Sequence, residues 1–355
     1  MRLRKLVRVL KRSGQLPYLV VDLVNIRYLT GFAGSYACLI VDGDRSFLIS
    51  DSRYEEYAKS ILPKNVTLVL QKNEVTDAIR FILDMIGARH LYVEGHSTML
   101  SLYESLREAL GHVEILKGSD TVNEIRTVKD RGELAHMRRA ARIADECMAY
   151  LIDFVKAGMT EWEIAVAIEY YYRTHGCRKS SFDVIVASGA GASMPHYTPS
   201  MTKRVMPGEV LMIDMGCEYM GYNSDLTRTL FVQRVDPELE NIYRLVRKAQ
   251  EAAIKAVRPG ITTGKLDAVA RDIIETAGHG EHFGHGLGHG IGMDVHEIPA
   301  IRKGEQKLAK NMVVTIEPGV YLPGRGGVRI EDMVLVTATG REVLTKFPKD
   351  VIIVG

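Results

Sequence analysis

The 355-residue sequence lacks the marks of several protein classes. No apolar run approaches the roughly 20 residues that span a bilayer, so no membrane helix is predicted. Lysine and arginine total 46 against 44 aspartates and glutamates, and this balance indicates no nucleic-acid or membrane-surface partner. Four scattered cysteines without CxxC spacing argue against a thiolate zinc site and fit a reducing compartment. The basic start has no apolar core with a cleavage site, so we expect no signal peptide and a cytoplasmic protein.

The remaining composition is that of an ordinary globular chain, with 46% hydrophobic and 25% charged residues. Its length predicts two domains. In the first third, short apolar runs alternate with amphipathic stretches, which predicts a small α/β domain over residues 1–122. A long helix with an apolar face is then predicted from Lys129, and Thr160 with Glu163 forms a capping box for the next helix. Strand-rich segments follow, so residues 123–355 are predicted to form an α+β domain.

Two aspartates lie on one predicted hairpin, within EVLMIDMGCEYMGYNSDLTRTLF (209–231). If Tyr219 and Met220 form the centre of the turn, Asp214 and Asp225 face each other directly, with Cβ atoms about 5 Å apart. Asp214 lies in an apolar run, where an unpaired charge is unfavourable. The pair therefore fits two metal ligands; the alternative is a shifted register that places one aspartate in solvent.

Glycine and histidine are concentrated in GHGEHFGHGLGHGIGMDVHE (278–297), where seven of the 15 residues from Gly278 to Gly292 are glycine. Glycine at this density weakens helices and strands, so a close approach of the backbone to a ligand is the expected reason. Neutral imidazole is a common metal ligand and a proton carrier near pH 7. The alternative is a flexible surface loop, against which the interleaved apolar residues argue.

Two glutamates, Glu317 and Glu331, lie symmetrically about Gly324 within VVTIEPGVYLPGRGGVRIEDMVLV (313–336). They are therefore predicted to meet across a second hairpin. Both are embedded in β-branched runs, where a buried carboxylate needs a partner. Metal binding is one explanation, and a salt bridge to a residue such as Arg329 is the other.

The three segments together offer four carboxylates and one imidazole, namely Asp214, Asp225, His289, Glu317 and Glu331. Four carboxylates without cations would repel one another strongly, whereas this donor set suits two divalent ions. Oxygen-dominated ligation favours Mn²⁺, Co²⁺ or Fe²⁺, with Zn²⁺ as an alternative. Two such ions can share a bridging hydroxide and polarise a carbonyl, so hydrolysis is the predicted chemistry.

The same segments resemble the pita-bread metallopeptidases, in the branch of Xaa-Pro dipeptidase (prolidase) and aminopeptidase P. HGLGHGIGMDVHE (285–297) matches the histidine signature of that branch. Its other ligand segments are matched in order by DMGCEYMGYNSDLTRT (214–229), TIEPGVY (315–321) and GVRIED (327–332). NIRYLTGFAGS (25–35) resembles part of the creatinase-like accessory domain. The resemblance implies a small α/β creatinase-like N-terminal domain followed by a pita-bread catalytic domain.

The resemblance also implies roles for individual residues. All five residues of the donor set would be metal ligands, and Glu317 would in addition move a proton from the attacking water to the leaving amine. His196, in MPHYTPS, and His296 would bind substrate and stabilise the tetrahedral oxyanion. Arg329 is expected to contact substrate, and Thr227 to orient a ligand. The implied reaction is hydrolysis of the bond before proline in Xaa-Pro dipeptides, with two divalent ions per subunit, Mn²⁺ or Co²⁺ ahead of Zn²⁺ or Fe²⁺.

One segment departs from the prolidase pattern. Some prolidases carry an arginine near the HExP segment that is thought to pair with the dipeptide carboxylate, whereas this chain has Ala300, Ile301 and Arg302 in HEIPAIR. Either Arg302 takes that role or longer substrates are accepted, and aminopeptidase P, which acts on longer Xaa-Pro peptides, is the main alternative. Metal-free creatinase-like hydrolases and non-catalytic relatives typically lose ligands that this chain retains. By resemblance we expect a homodimer that acts on short proline-containing peptides.

Overall fold

The computed structural model describes residues 2–43 and 45–355. The chain divides into two compact units, the first ending at Arg126 and the second comprising Thr127–Gly355. The predicted boundary, between residues 122 and 123, lies a few residues earlier. It falls inside a short helix, Thr121–Thr127, that continues to the division between the units.

The first unit is built around a six-stranded mixed sheet. Its strands are β1 (Tyr18–Val20), β2 (Cys38–Asp42), β3 (Arg45–Ser50), β4 (Val66–Leu70), β5 (His90–Val93) and β6 (Glu114–Lys117). Its helices are α1 (Arg2–Ser13), α2 (Leu23–Thr30), α3 (Glu55–Ile61), α4 (Val75–Ile86) and α5 (Leu100–Ala109), and α6 (Thr121–Thr127) follows them. The strands lie in the order β4-β3-β2-β1-β5-β6, with β1–β2 and β2–β3 antiparallel and the other neighbours parallel.

Local sequence explains how the helices of this unit begin and pack. Helix α1 buries Leu3, Leu6 and Leu10 on one face, at the spacing of an amphipathic helix. Helix α2 begins at Asp22, whose carboxylate accepts hydrogen bonds from two backbone N–H groups of the first turn. The same N-terminal turn is tied to β5 by Glu94, which is buried and accepts backbone N–H bonds from residue 21 and Asp22.

The second unit contains longer helices and several small sheets. Its helices are α7 (Arg131–Phe154), α8 (Glu161–Thr174), α9 (Pro237–Ala256) and α10 (Thr263–Thr276). Its strands are β7 (Lys179–Ser180), β8 (Ile185–Ser188), β9 (Val210–Met215), β10 (Cys217–Tyr219), β11 (Tyr222–Asn223), β12 (Leu226–Val232), β13 (Gly288–Gly290), β14 (Glu297–Ile301), β15 (Val313–Ile316), β16 (Gly319–Leu322), β17 (Gly326–Arg329), β18 (Asp332–Val336), β19 (Arg341–Val343) and β20 (Ile353–Val354).

The strands form mainly antiparallel sheets that the helices cover on both sides. The sheet orders are β20-β12-β9-β8, β14-β13-β15-β18-β19, β11-β10-β7 and β16-β17. Along β9, Leu211 and Ile213 pack with residues of α7 and α8, whereas Val210 and Met212 pack with residues of α9 and α10. This alternation is the period of a strand that is buried on both faces. The combination of these sheets with separate helices confirms the predicted α+β class.

The long helices carry the predicted signals. The predicted helix from Lys129 is α7, which starts at Arg131 and is capped by Asp130 with Glu133 in a capping box. The capping box predicted for Thr160 and Glu163 is present at the start of α8 and is thereby confirmed. Among residues 2–43 and 45–355, no helix combines the length and the apolar character needed to cross a lipid bilayer.

Candidate active site

A cavity of ≈ 480 Å³ lies in the second unit, where the ends of several strands meet. It contains the eight residues that were predicted to act on metal or substrate, as well as Arg302. Its principal polar lining residues are Asp183, His196, Asp214, Asp225, His285, His289, His296, Arg302, Glu317, Arg329 and Glu331. Residues from four separated stretches of sequence therefore converge on one volume of a size suited to a small substrate.

The first hairpin differs from its predicted register. Asp214 on β9 is opposite Thr227 on β12, and not opposite Asp225. The turn is formed by Met220 and Gly221, one residue later than predicted, because Tyr219 already pairs with Tyr222. The direct pairing of Asp214 with Asp225 is therefore wrong. The shift moves the partner by two residues, which keeps both aspartates on one face, and both are buried.

The second hairpin has the predicted register. Ile316 pairs with Asp332 and Gly319 pairs with Arg329, so Glu317 and Glu331 occupy equivalent positions between these two paired segments. Neither glutamate bonds the other through the backbone, since their N–H groups donate to Leu287 and Thr227 carbonyls respectively. The ladder is open at this point, and both carboxylates project into the cavity.

The centre of the glycine-rich segment is a packed strand, and the residues around it form turns and a short 3-10 helix. Gly288 and Gly290 lie on β13, between β14 and β15. A Cβ atom on Gly288 would lie 2.1 Å from the Thr315 carbonyl oxygen, and one on Gly290 would lie 2.4 Å from that of Ile298. Both distances are shorter than van der Waals contact. The glycines are thus required mainly by neighbouring protein backbone, whereas approach to a ligand was expected.

This close packing fixes His289 in the strand between the two glycines. Its Nδ1 donates to the Gly290 carbonyl at 3.0 Å, so Nε2 is the atom that faces the acidic groups. That atom lies 3.3 Å from Glu317 Oε1 and 3.7 Å from Asp225 Oδ2. The arrangement is the one found for a histidine that presents Nε2 to a metal while the other nitrogen fixes the ring orientation.

The imidazole and one glutamate stabilise each other's charge. Burial opposes ionisation of Glu317, but the hydrogen bond and charge of His289, with the Arg329 charge, lower its pKa to about 2. Burial also works against protonation of His289, but the hydrogen bond and charge of Glu317 raise its pKa above the ordinary value. In the protein without metal, this ion pair balances the charge of one of the four carboxylates in the cluster.

The charges of Asp225 and Glu331 are less well balanced, because His289 pairs more closely with Glu317, at 3.3 Å, than with Asp225, at 3.7 Å. Burial, together with repulsion from Glu331 and Asp214, raises the pKa of Asp225 well above its usual range. Burial and repulsion from Glu317 and Asp214 do the same to the pKa of Glu331. In the described part of the chain, Asp214 Oδ1 and Glu331 Oε1 are buried without a hydrogen-bond partner. The cluster is therefore short of positive charge and of donors.

Divalent cations would satisfy both deficits. Ligand atoms of Asp225, His289 and Glu331 all lie within 4.8 Å of one another, which is close enough to hold one ion. Asp214 and Glu317 border the same cavity and extend the donor set to five. The oxygen-rich donors and the orphaned oxygens fit hard or intermediate divalent metals.

A hydrogen-bonded network behind the cluster holds two of the carboxylates. Arg329 donates from Nη2 to Asp214 Oδ2 at 2.6 Å, from Nη1 to the Tyr321 hydroxyl at 2.8 Å and from Nε to Thr227 Oγ1 at 3.2 Å. Thr227 in turn donates to Glu331 Oε2 at 2.7 Å. The contact of Thr227 matches its expected place beside a ligand. Arg329 was considered a partner for Glu331, but its ion pair is with Asp214.

His196 and His296 lie at the exposed side of the cavity. The His296 ring packs edge-to-face on that of His289, with centroids 4.3 Å apart. Burial and the His289 charge lower the pKa of His296, so its ring is neutral at pH 7 and can donate one N–H bond. His196 lies in a loop, and the carbonyl of the residue before it, Pro195, accepts a hydrogen bond from Arg329. Both histidines line the same cavity as the carboxylate cluster.

Several residues of the site were not singled out from the sequence. His285 Nδ1 donates to the Gly286 carbonyl, so Nε2 accepts from the Tyr321 hydroxyl at 2.9 Å. Glu297 accepts from backbone N–H groups of the loop before His296 and forms a buried ion pair with Lys129 at 2.9 Å. The high density of histidine in residues 278–297 was a sequence signal that could have identified His285. No sequence signal connects Lys129 to Glu297, which lies far along the chain.

The chain matches two known families. Residues 135–338 match Metallopeptidase family M24, and residues 2–128 match the Creatinase/Prolidase N-terminal domain. An Xaa-Pro dipeptidase of Pyrococcus furiosus is 35% identical over 355 residues, which cover 99% of this chain and 99% of the relative.

Solved structures are similar over almost the whole chain. An Xaa-Pro dipeptidase from Bacillus anthracis superposes with a TM-score of 0.95 at 34% identity, covering 99% of both chains. An X-Pro aminopeptidase from Thermotoga maritima superposes with a TM-score of 0.90 at 35% identity, covering 97% of this chain and 99% of that one. With a matched catalytic region, a matched N-terminal region and relatives of this similarity, the chain belongs to metallopeptidase family M24.

Proposed function

We propose that the protein is a dinuclear metal-dependent Xaa-Pro dipeptidase. The observation that carries the proposal is the cluster of Asp214, Asp225, His289, Glu317 and Glu331 in one cavity, short of positive charge. Prolidase-named relatives that match end to end support the substrate class. Bound divalent ions supply a Lewis acid for the scissile carbonyl and lower the pKa of the attacking water.

The side chains around the cavity carry out proton transfer, oxyanion stabilisation and substrate recognition. Glu317, the carboxylate with the lowered pKa, accepts the proton of the attacking water and delivers it to the departing nitrogen. His296 and His196 donate N–H bonds to the peptide and to the oxyanion that develops on it. Because the proline nitrogen of the scissile bond carries no N–H, the ring is recognised by its shape and not by a hydrogen bond from that nitrogen. Arg329 holds Asp214 and, by this contact, keeps the cavity wall in place.

Arg302 provides the selectivity for dipeptides. It lines the cavity and is exposed, and among residues 2–43 and 45–355 no carboxylate lies within ion-pair distance of it. A free guanidinium beside a substrate cavity suits the carboxylate of a C-terminal proline. A dipeptide places that carboxylate one residue beyond the scissile bond, whereas a longer peptide has an uncharged amide there.

Comparison of an Xaa-Pro dipeptide with the corresponding Xaa-Pro tripeptide tests the substrate assignment. We expect the Mn²⁺- or Co²⁺-loaded protein to favour the dipeptide. Arg302→Gln is expected to raise KM for the dipeptide about tenfold and to leave the tripeptide unaffected. Lys303→Gln, which removes the neighbouring exposed cation, is the matched control. Cleavage of neither substrate would refute the proposed function.

The second candidate is an aminopeptidase of the P type, which releases the residue before proline from longer peptides. The similarity to the Thermotoga maritima X-Pro aminopeptidase favours it. Preference for the tripeptide, with no effect of Arg302→Gln on either substrate, would establish this alternative.

The metal assignment has its own test. Asp214→Asn and His289→Ala are expected to abolish activity and to reduce the metal content while the fold is retained by circular dichroism. Elemental analysis of protein purified without added metal identifies the native ions, for which we propose Mn²⁺ or Co²⁺. Full activity of Asp214→Asn or of His289→Ala would exclude the dinuclear assignment.

We also propose a cytoplasmic homodimer, and light scattering coupled to size exclusion measures the subunit number.

A further inference from the structure

A buried carboxylate outside the acidic cluster lies at the start of α8. Glu161 is the first residue of α8 and is completely buried. Its two oxygens accept four hydrogen bonds. Oε1 accepts from the backbone N–H and the hydroxyl of Ser188, at 2.8 and 2.7 Å. Oε2 accepts from the Tyr197 hydroxyl at 2.8 Å and the Ser200 backbone N–H at 3.0 Å. The donors satisfy a charge that would otherwise be costly to bury.

The two pairs of donors belong to different parts of the structure. Ser188 ends strand β8, which is paired with β9 and is part of the rigid sheet. Tyr197 and Ser200 belong to residues 194–200, a segment without helix or strand. The carboxylate therefore connects an irregular segment to the sheet that carries Asp214.

The irregular segment carries His196 at the cavity. Tyr197 follows it directly, and Ser200 lies four residues beyond it, so the carboxylate holds the chain on the C-terminal side of the histidine. On the N-terminal side, the Pro195 carbonyl accepts from Arg329 at 3.3 Å. His196 itself is exposed. Its position is thus determined by contacts of its neighbours and not by burial of its own ring.

We propose that Glu161 is a positioning residue that sets the location of His196 by holding Tyr197 and Ser200 against strand β8. This inference rests on the proposed function for the catalytic contribution of His196, but the contacts themselves do not. A flexible histidine stabilises a transition state less than one that is held in place, because the conformational entropy of the flexible side chain must be lost during the reaction.

The phenol remains a donor under ordinary conditions. Burial and the hydrogen bond and charge of Glu161 raise the pKa of Tyr197 to about 12. The O–H therefore stays in place across the pH range in which peptidases are assayed. The Tyr197 ring also packs beside Gly191, where a Cβ would approach it at 3.1 Å.

Two single-hydroxyl deletions test the proposal against a purely structural role. Tyr197→Phe and Ser188→Ala each remove one hydroxyl donor from the same carboxylate, so both are expected to lower Tm by a similar amount. Only Tyr197→Phe removes a contact that holds the irregular segment. We expect it to lower kcat/KM on an Xaa-Pro dipeptide about tenfold, mainly in kcat, while Ser188→Ala stays within about twofold of wild type.

A double-mutant cycle with His196→Ala completes the test. If Tyr197 acts through His196, Tyr197→Phe has less than about a twofold effect on kcat/KM in the His196→Ala background. Equal losses in Tyr197→Phe and Ser188→Ala that follow the change in Tm, or full additivity with His196→Ala, would overturn the proposal.

Hydrogen exchange gives a readout that is independent of activity. Amides of residues 194–200 are expected to exchange faster in Tyr197→Phe than in Ser188→Ala or the wild type. If the wild-type protein cleaves no Xaa-Pro peptide, the proposed function fails and this measurement still decides whether the contacts hold the segment. Unchanged exchange in Tyr197→Phe refutes the positioning role, whatever the activity.

Discussion

Asp214 and Arg329 form an ion pair in which both side chains are almost completely buried, with 2.6 Å between Oδ2 and Nη2. Of the four carboxylates in the predicted metal cluster, Asp214 is the one that is paired with a fixed cation among the described residues. Glu317 is paired with His289, a group that can also lose its proton. Asp225 lies 3.7 Å from the same His289, and Glu331 accepts a hydrogen bond from the uncharged Thr227, so the charges of these two carboxylates are the least balanced. This unequal distribution of partners leads directly to a prediction about stability.

Glu331→Gln is expected to stabilise the metal-free protein. The raised pKa of Glu331 means that ionisation of its buried carboxyl is unfavourable in the folded protein, and a neutral amide removes this energetic cost. The amide oxygen of glutamine can still accept the hydrogen bond from Thr227. We expect Tm in EDTA to rise by a few degrees, and we expect Mn²⁺ to stabilise the wild type but not the variant. Differential scanning fluorimetry measures both. Glu305→Gln, an exposed carboxylate, serves as the control, and a lower Tm in EDTA for Glu331→Gln would contradict the prediction.

Gly288→Ala is expected to damage the site through the backbone. The new Cβ would lie 2.1 Å from the Thr315 carbonyl oxygen, so β13 and β15 must separate and His289 must move. A loss of about 3 kcal/mol or more in the free energy of unfolding and loss of metal binding are expected, as for overpacking in a closed site. Gly284→Ala is the matched control from the same segment, since its Cβ would meet nothing within 4 Å. Chemical denaturation and metal titration of the two variants provide the comparison.

The eight site residues predicted from the sequence all line one cavity, but their contacts were only partly predicted. Symmetry about Gly324 was a reliable guide to Glu317 and Glu331, because the second hairpin has a regular register on both sides of the break. The same reasoning failed for Asp214 and Asp225, because the turn was placed one residue early. Periodicity has no power to distinguish a hairpin register from one shifted by two residues, since both place the same side chains on the same face.

No local sequence pattern predicts the contacts between residues that lie far apart in the chain. No local pattern marks Glu161, Lys129 and Glu297 as buried charges, whereas the side chains of all three are buried in the fold. Their long-range partners lie between 27 and 168 residues away. A charged residue gives no sign in its neighbours that a distant donor will satisfy it, so such contacts become visible only with the tertiary structure.

Lys129→Met is expected to destabilise the second unit. The change removes the cation of a buried ion pair with Glu297, and removal of one partner of a buried pair typically costs about 3–5 kcal/mol. Unfolding in urea, followed by fluorescence of Trp162, the single tryptophan of the chain, reports on this unit. The double variant Lys129→Met/Glu297→Gln should recover part of the loss, because it removes the buried carboxylate charge as well as the cation. Equal stability of Lys129→Met and wild type would show that the pair contributes nothing.

A pH-dependent contribution to stability is expected from Glu94 in the first unit. Burial raises the pKa of Glu94 above 4.5, although hydrogen bonds from the Val21 and Asp22 backbone and from Asn25 lower it. Below the pKa of the unfolded chain the carboxyl is protonated in both states, and its contribution is then most favourable. As pH rises above about 4.5, the unfolded state loses the proton first, so stability falls until the higher pKa of the folded state is passed.

Glu94→Gln removes this titration. The stability of the variant minus that of the wild type should therefore rise with pH between about 4.5 and the folded-state pKa, by about 1.4 kcal/mol for each unit that separates the two pKa values. Hydrogen exchange of the β1 and β5 amides, compared between the proteins at each pH, isolates the first unit, and Glu74→Gln controls for the loss of an exposed carboxylate. A difference that falls with pH would mean that the hydrogen bonds to Glu94 outweigh its burial, since a carboxylate stabilised by its donors gains stability from ionisation.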